Sequence, residues 1–350
     1  MKPLLTIAIP TYNRAGDLGN LLASLVSELK RIPKGTVEVR VLDNASEDDT
    51  TAVVEKIQSD NATIHYARHK TNLGMQANFI ECVRQSEGEY IYMIGDDEVI
   101  LPGGLSIMLN AIESNRNVSV FVVNYRYEGA PEKAVFLQGA CGHPVDTSVC
   151  NVKDFVYRHG WLWTFGNLGM VIAKTAPMKG ADFLPHQAHG FMQAGLYLET
   201  FHNERMLFID KPVFLTFIRS QTVNKDRWEQ DGSADSWART FDSVEHLINK
   251  GVLPPQLPLG FFNHCSSSWY PSWNLLLDRL LNRIVKGNLQ IDDALWRDVT
   301  RWIEKVDNPA VRERTLAAIE SLRVSFMIAK AGFENFARLS QLLRPTFSGT

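Results

Sequence analysis

The chain has 350 residues, 45% hydrophobic and 21% charged, which is apolar material for one large core or two moderate ones and excludes a disordered chain. A formal net charge of −3 excludes nucleic-acid binding through a global basic excess, so any nucleotide recognition must be the property of a pocket. Cys82, Cys141, Cys150 and Cys265 form no C-x-x-C pair, the apolar start stops at Pro10, and no apolar run nears the ~20 residues of a membrane helix, so a reducing cytoplasm is expected.

The first 125 residues alternate between two hydrophobic periods, the one-dimensional trace of a parallel sheet with crossover helices. LLTIAI at 4–9 reads as a buried strand, and Leu18, Leu21, Leu22, Leu25, Val26 and Leu29 share one face of a helix over 17–31. VEVRVL at 37–42 is the second strand. Ser46 and Asp49 then resemble an N-cap ahead of Val53, Val54 and Ile57. TIHYA at 63–67, a helix over 74–85, EYIYMI at 89–94, a helix after Pro102 and VSVFVV at 118–123 complete a doubly wound pattern. Beyond 126 the alternation weakens, with strand-like runs at 169–173 and 206–210 that extend the sheet. From 233 the pattern is helical. The expected organisation is a donor-binding half at 1–125, an acceptor-side half at 126–232 and a helical appendage at 233–350.

Three polar clusters fall at strand C-termini: Pro10, Thr11, Tyr12 and Asn13 after the first strand, Asp43 to Ser46 after the second, and Gly95 to Glu98 after the fourth. The carboxyl edge of an open α/β sheet is where ligands bind. Asp43 alone reads equally well as a helix cap, and a bare Asp-Asp-Glu more often as a solvated turn. Three adjacent carboxylates, Asp96, Asp97 and Glu98, nevertheless repel one another unless a cation relieves them, and an all-oxygen set suits Mn2+ or Mg2+ bridging to a diphosphate.

IAIPTYNR at 7–14, VLDNASEDDT at 41–50, NLGMQANF at 72–79 and YMIGDDEVILPGGL at 92–105 resemble, in order, the motifs of glycosyltransferase family 2. The resemblance implies the GT-A fold, a Rossmann-like, mostly parallel sheet flanked by helices, and an inverting transfer from a nucleotide-sugar donor. It implies that Pro10, Thr11, Tyr12, Asn13 and Arg14 form a base-binding loop, that Asp43 faces the base and favours UDP, and that Asn72, Gly74 and Asn78 complete the donor site. Asp96 would lie near the ribose, and Asp97 or Glu98 would hold the metal; Glu98 stands where the family commonly has Asp. The implied acceptor is a hydroxyl of a glycan or lipid-linked saccharide in cell-surface polysaccharide synthesis.

The family's base is an acidic residue at a helix start beyond the D-x-D. Here the corresponding segment, 183–199, offers His189, with Asp182 and His186 as alternates, and an imidazole near neutral pKa can serve. Trp161, Trp163 and Asn167 are candidates to line an acceptor groove, although aromatics at this density are more often core. The amphipathic stretches 273–286 and 332–345 suit peripheral contact with the inner face of the plasma membrane, packing on the catalytic domain, or a homodimer. Two rivals share the chemistry: a sugar-1-phosphate nucleotidyltransferase, for which PTYNRAGDLG is a poor phosphate loop, and a non-catalytic sugar-nucleotide-binding scaffold. A dehydrogenase is disfavoured because no G-x-G-x-x-G follows the first strand.

Overall fold

The computed structural model describes residues 2–127 except 60 and 62, residues 145, 147–187, 191–216 and 242–262, and residues 297–324 except 298, 299, 302, 311, 318 and 322. The predicted alternation is realised as β1 (Leu5–Thr11), α1 (Ala15–Leu29), β2 (Val37–Asp43), α2 (Thr50–Gln58), β3 (Ile64–Arg68), α3 (Met75–Gln85) and β4 (Tyr90–Met93). Leu5, Ile7, Ala8 and Ile9 are fully buried on both faces of β1, as a central parallel strand covered by helices on each side requires. The leucines at 18, 21, 22 and 25 of α1 are equally buried, while Val26 and Leu29 lie at the edge of that face.

The second half adds β5 (Glu98–Ile100), α4 (Gly104–Ser114), β6 (Val120–Tyr127), β7 (Cys150–Asn151), α5 (Val152–His159), α6 (Trp161–Phe165), β8 (Val171–Lys174), α7 (Thr175–Lys179), α8 (Met192–Phe201) and β9 (Arg205–Thr216). The sheet order is β3-β2-β1-β4-β8-β6-β9-β5, with β7 also on β9. The first four strands are mutually parallel and β6 is parallel to β9, whereas β8, β5 and β7 run antiparallel to their partners. The sheet is therefore mixed but mostly parallel, and β1, β2 and β4 end on one edge.

Two local expectations are corrected. The sequence pattern passes from the strand at 89–94 to a helix after Pro102, but β5 intervenes and pairs Glu98 to Ile100 with Thr216 to Phe214 of β9, a partner more than a hundred residues away. The start of α2 is not capped by Ser46 and Asp49. Asp48 instead accepts from the Thr50 N–H at 3.1 Å and from the Ala15 N–H of α1 at 3.0 Å, so one carboxylate serves the first turns of two helices.

The opposite edge of the sheet carries a buried carboxylate. Glu38 accepts from the Thr6 hydroxyl and from the Glu87 N–H at 2.7 Å, and pairs with Arg40 at 3.1 Å. Burial would push its carboxyl up, but the bonds from Thr6, Arg40 and Glu87 outweigh it and hold the group below its ordinary 4.5. A depressed folded value means stability present above pH 4.5 and lost as pH falls through the folded value. Glu38→Gln should therefore destabilise the chain by about 1–2 kcal/mol at pH 7. Urea melts at pH 7 and pH 3 check this: the deficit should shrink at the lower pH, and a pH-independent deficit would count against the assignment.

Among the described residues of the C-terminal third, the helix at 242–249 and the helical pieces between 297 and 324 bury Val244, Leu247, Ile303, Val306 and Ile319 in the same core as the sheet. These segments thus pack on the α/β sheet domain, while 273–286 and 332–345 lie outside the described residues. No helix among the described residues is long and apolar enough to cross a membrane.

Candidate functional site

The three polar clusters do meet at the carboxyl edge. Thr11 closes β1, and its hydroxyl donates to Asp96 Oδ2 at 2.7 Å. Arg14, the residue ahead of α1, places one guanidinium nitrogen 2.9 Å from Asp96 Oδ1 and 2.9 Å from Asp97 Oδ2. Burial drives the Asp96 carboxyl up to about 6, against the pull of Arg14 and Thr11. Asp96 is nearly enclosed, whereas Asp97 is 20% exposed and is the more open of the two acids.

The loop after β1 is locked to the loop after β2. The Asn13 N–H donates to Ser46 Oγ at 2.8 Å, and Asn13 Oδ1 accepts from the Glu47 N–H at 2.7 Å. Asn13 and Ala45 are the non-glycine residues with positive φ, 52° and 66°, among the described residues. For Ala45 this left-handed backbone is a strain of the kind that gathers at binding loops. Pro10 and Tyr12 are half-buried beside this junction.

Several residues expected to touch a donor brace the site instead. Asp43 has no exposed surface: its Oδ1 accepts from the Ser46 N–H at 2.8 Å and its Oδ2 from the Tyr66 hydroxyl at 2.6 Å, with Arg68 Nε at 3.4 Å. Burial and Asp43 together push the Tyr66 hydroxyl up to about 12, so it stays a donor. One Asp43 oxygen is thus held by the loop after β2 and the other by Tyr66 and Arg68 of β3. Asn78 is likewise buried; its Nδ2 donates to the Leu42 carbonyl at 3.0 Å and its Oδ1 lies 3.1 Å from His69 Nε2, tying α3 to β2.

Asn72 works through Asn44, which the motif reading had passed over. Asn72 Oδ1 accepts from Asn44 Nδ2 and from the Gly74 N–H, both at 2.8 Å, and Asn44 Oδ1 accepts from the Leu73 N–H at 2.8 Å. Gly74 has φ of 85°, a backbone only glycine adopts freely, and starts α3. The turn so formed leaves Leu73 and Met75 about half exposed beside the loops.

Glu98 is a correction. It is the first residue of β5, 5% exposed, and its Oε2 is buried without a hydrogen-bond partner. A Cβ on Gly169 would stand 2.3 Å from that oxygen, so the carboxyl lies against the 3-10 turn Leu168–Met170. Burial, with Asp97 and Asp96 nearby, raises its pKa well above 4.5. This inward packing sets Glu98 apart from Asp96 and Asp97, whose oxygens face Arg14.

Among the candidate bases, His186 is sealed: it has no exposed surface, its Nε2 meets Glu199 Oε2 at 2.8 Å and its Nδ1 meets Ser243 Oγ at 2.6 Å. Such a ring cannot reach an acceptor hydroxyl. Asp182 is exposed and accepts from the Leu184 N–H at 3.1 Å, and His189 lies outside the described residues. Trp161 and Trp163 are core, each 1% exposed. Trp161 stacks on Phe261 with centroids 5.7 Å apart and donates to the Ala194 carbonyl at 2.9 Å. Asn167 caps the 3-10 turn Leu168–Met170 by accepting from the Gly169 N–H. The expected groove lining is therefore not formed by these indoles.

Residues 6–176 match the model of glycosyl transferase family 2. An abequosyltransferase of Salmonella typhimurium is 31% identical over 116 residues, covering 33% of this chain and 34% of the relative. A GalNAc(5)-diNAcBac-PP-undecaprenol β-1,3-glucosyltransferase of Campylobacter jejuni is 30% identical over 108 residues, 31% of this chain and 34% of the relative. The match thus spans about a third of the length of these curated relatives. Among solved structures, TarS 1–349 of S. aureus in complex with UDP superposes with a TM-score of 0.56 at 15% identity, covering 95% of this chain and 92% of that one. A mannosyltransferase of Pyrobaculum calidifontis in complex with GDP-Man and Mn2+ gives 0.50 at 13% identity, covering 91% and 85%. Likeness at this identity shows the fold, which is the GT-A α/β fold. With its motifs gathered in order at one sheet edge and the family model laid over them, residues 6–176 of this chain belong to glycosyl transferase family 2.

Proposed function

We propose that the chain is an inverting glycosyltransferase that moves a sugar from a nucleoside-diphosphate donor, preferably a UDP-sugar, to a hydroxyl of a glycan or lipid-linked saccharide. Cell-surface polysaccharide synthesis is its setting in this reading. The observation that carries it is the convergence of Thr11, Arg14, Asp96 and Asp97 where β1 and β4 end. The names of the relatives, one acting on an undecaprenol-linked saccharide, and the UDP, GDP-Man and Mn2+ bound by the structural neighbours support it. Residues 1–125 would hold the donor and 126–232 the acceptor, and a lipid-linked acceptor would bring the chain to the inner face of the membrane.

Asp97, with Asp96 behind it, would hold Mn2+ or Mg2+. That ion would supply charge neutralisation for the departing diphosphate. Thr11 orients Asp96, and Arg14 is placed to reach phosphate oxygens next to it. The Asn13–Ser46 junction and the Asn44–Asn72 pair shape the base pocket, with Leu73 and Met75 as apolar surface at its mouth. A base from the segment that precedes α8 in sequence, His189 with Asp182 as alternate, takes the acceptor O–H proton while the new C–O bond forms and the bond to phosphate breaks.

Thermal-shift and nucleotide-release assays on UDP-, GDP-, CDP- and dTDP-sugars, with and without Mn2+, test the proposal. A metal-dependent shift and turnover with UDP-sugars is the expected result. Donor binding with no turnover across an acceptor panel would favour the scaffold reading, and no binding of any donor would overturn both. Full activity in both His189→Ala and Asp182→Asn would remove the base assignment.

A further inference from the structure

Glu199 stands on α8 and gathers three partners on its carboxylate. His186 Nε2 is 2.8 Å and His246 Nε2 3.1 Å from the same oxygen, Oε2, while Lys250 pairs with Oε1. The two imidazoles are set edge to face, 87° apart, so their Nε2 atoms converge rather than stack. One ligand atom from each of His186, Glu199 and His246 lies within 4.8 Å of the other two. These residues come from the 3-10 turn at 184–186, from α8 and from the helix at 242–249, three segments joined by chain outside the described residues.

We propose that His186, Glu199 and His246 form a binding site for a Zn2+-class divalent ion, which would fasten the helix at 242–249 to α8. The donor set is the first argument: two imidazole nitrogens and one carboxylate oxygen suit zinc, whereas the all-oxygen pair Asp96 and Asp97 suits manganese or magnesium. Separations of 2.8 and 3.1 Å need open only slightly for three ligands to surround an ion at ordinary Zn–N and Zn–O distances, leaving a fourth position for water.

The outer contacts are those such a site requires. His186 Nδ1 lies 2.6 Å from Ser243 Oγ, a hydroxyl that can donate to a neutral nitrogen or accept from an N–H. It therefore serves both the empty state, with the proton on Nε2, and the loaded state, with the proton on Nδ1. Lys250 holds the carboxylate oxygen that the ion would not use. One turn before Glu199, Gly195 clears the space: a Cβ there would stand 2.1 Å from Ser243 Oγ and 2.5 Å from His186 Nδ1. A glycine inside a helix costs about 1 kcal/mol against alanine, and here it admits the imidazole and its hydroxyl partner to the helix surface.

The test uses the full chain stripped by chelator and titrated with Co2+ as a visible probe, then with Zn2+. One equivalent of Co2+ should give tetrahedral d–d absorption, persist in Asp97→Asn, and be displaced by Zn2+. His246→Ala, at a half-buried position, should weaken Co2+ binding by at least about tenfold. Zn2+ at ~100-fold above its Kd should raise the parent Tm on the order of 3 °C and that of His246→Ala by no more than about half as much. No tetrahedral absorption in the parent, or the same absorption in His246→Ala, would overturn the proposal and leave the trio a hydrogen-bonded brace. Should His246→Ala fail to fold, the parent spectrum decides alone. This proposal stands independently of the transferase reading.

Discussion

Asp97→Asn should lower glycosyl transfer by about 10²–10³-fold with the fold intact, because it removes a charge that matters to a developing diphosphate and little else. Asp97 is partly exposed and its side chain meets Arg14, which keeps Asp96 as a partner after the substitution. Its melting temperature should therefore stay within about 2 °C of the parent, as for an exposed substitution that leaves no buried group unpaired. Nucleotide release at saturating donor and Mn2+, alongside a thermal melt, measures both quantities. Activity within about tenfold of the parent would show that Asp97 does not hold the ion. Glu98→Gln is the contrasting variant: Glu98 is 5% exposed and packs inward against Gly169, so turnover should hardly change.

Gly104→Ala should be strongly destabilising. A Cβ at this first residue of α4 would meet the Val213 carbonyl oxygen at 2.3 Å and its carbon at 3.1 Å, and both are backbone of β9. No side chain can rotate away. Either α4 or β9 must move, and β9 also carries β5, the strand that begins with Glu98. A loss of about 3 kcal/mol is expected in urea unfolding. Gly16→Ala is the control, since nothing lies within 4 Å of its added Cβ and α1 should gain helix propensity. Equal effects from the two substitutions would refute the steric account.

The donor half was legible because its information is local. Buried-strand runs at 4–9, 37–42 and 89–94 carry their own period, and the polar residues after each run fall at the sheet edge by topology. What failed was set by distant chain. Glu98 looks in sequence like a third acid, and only β9 and Gly169 put it inside. Asp43 and Asn78 carry the right chemistry in the right motif, yet Tyr66, Ser46 and the Leu42 carbonyl consume it. His186 could not be read as sealed without Ser243, 57 positions along the chain. The cap of α2 was missed for a smaller reason, since SEDD offers several acceptors and the choice depends on the Ala15 N–H of another helix.

Arg14 would give the proposed donor site a resident counter-ion. With its guanidinium 2.9 Å from both Asp96 and Asp97, the pair of acids is already half neutralised before any metal arrives. A divalent ion coming alone must share that space with a positive charge, and by Coulomb's law its affinity suffers. A diphosphate would offer the guanidinium other oxygens to hold, and the carboxylates would then be free for the ion. Mn2+ titrated into nucleotide-free protein should thus bind weakly, and the same titration with UDP present should saturate at lower concentration, each ligand tightening the other by the same factor.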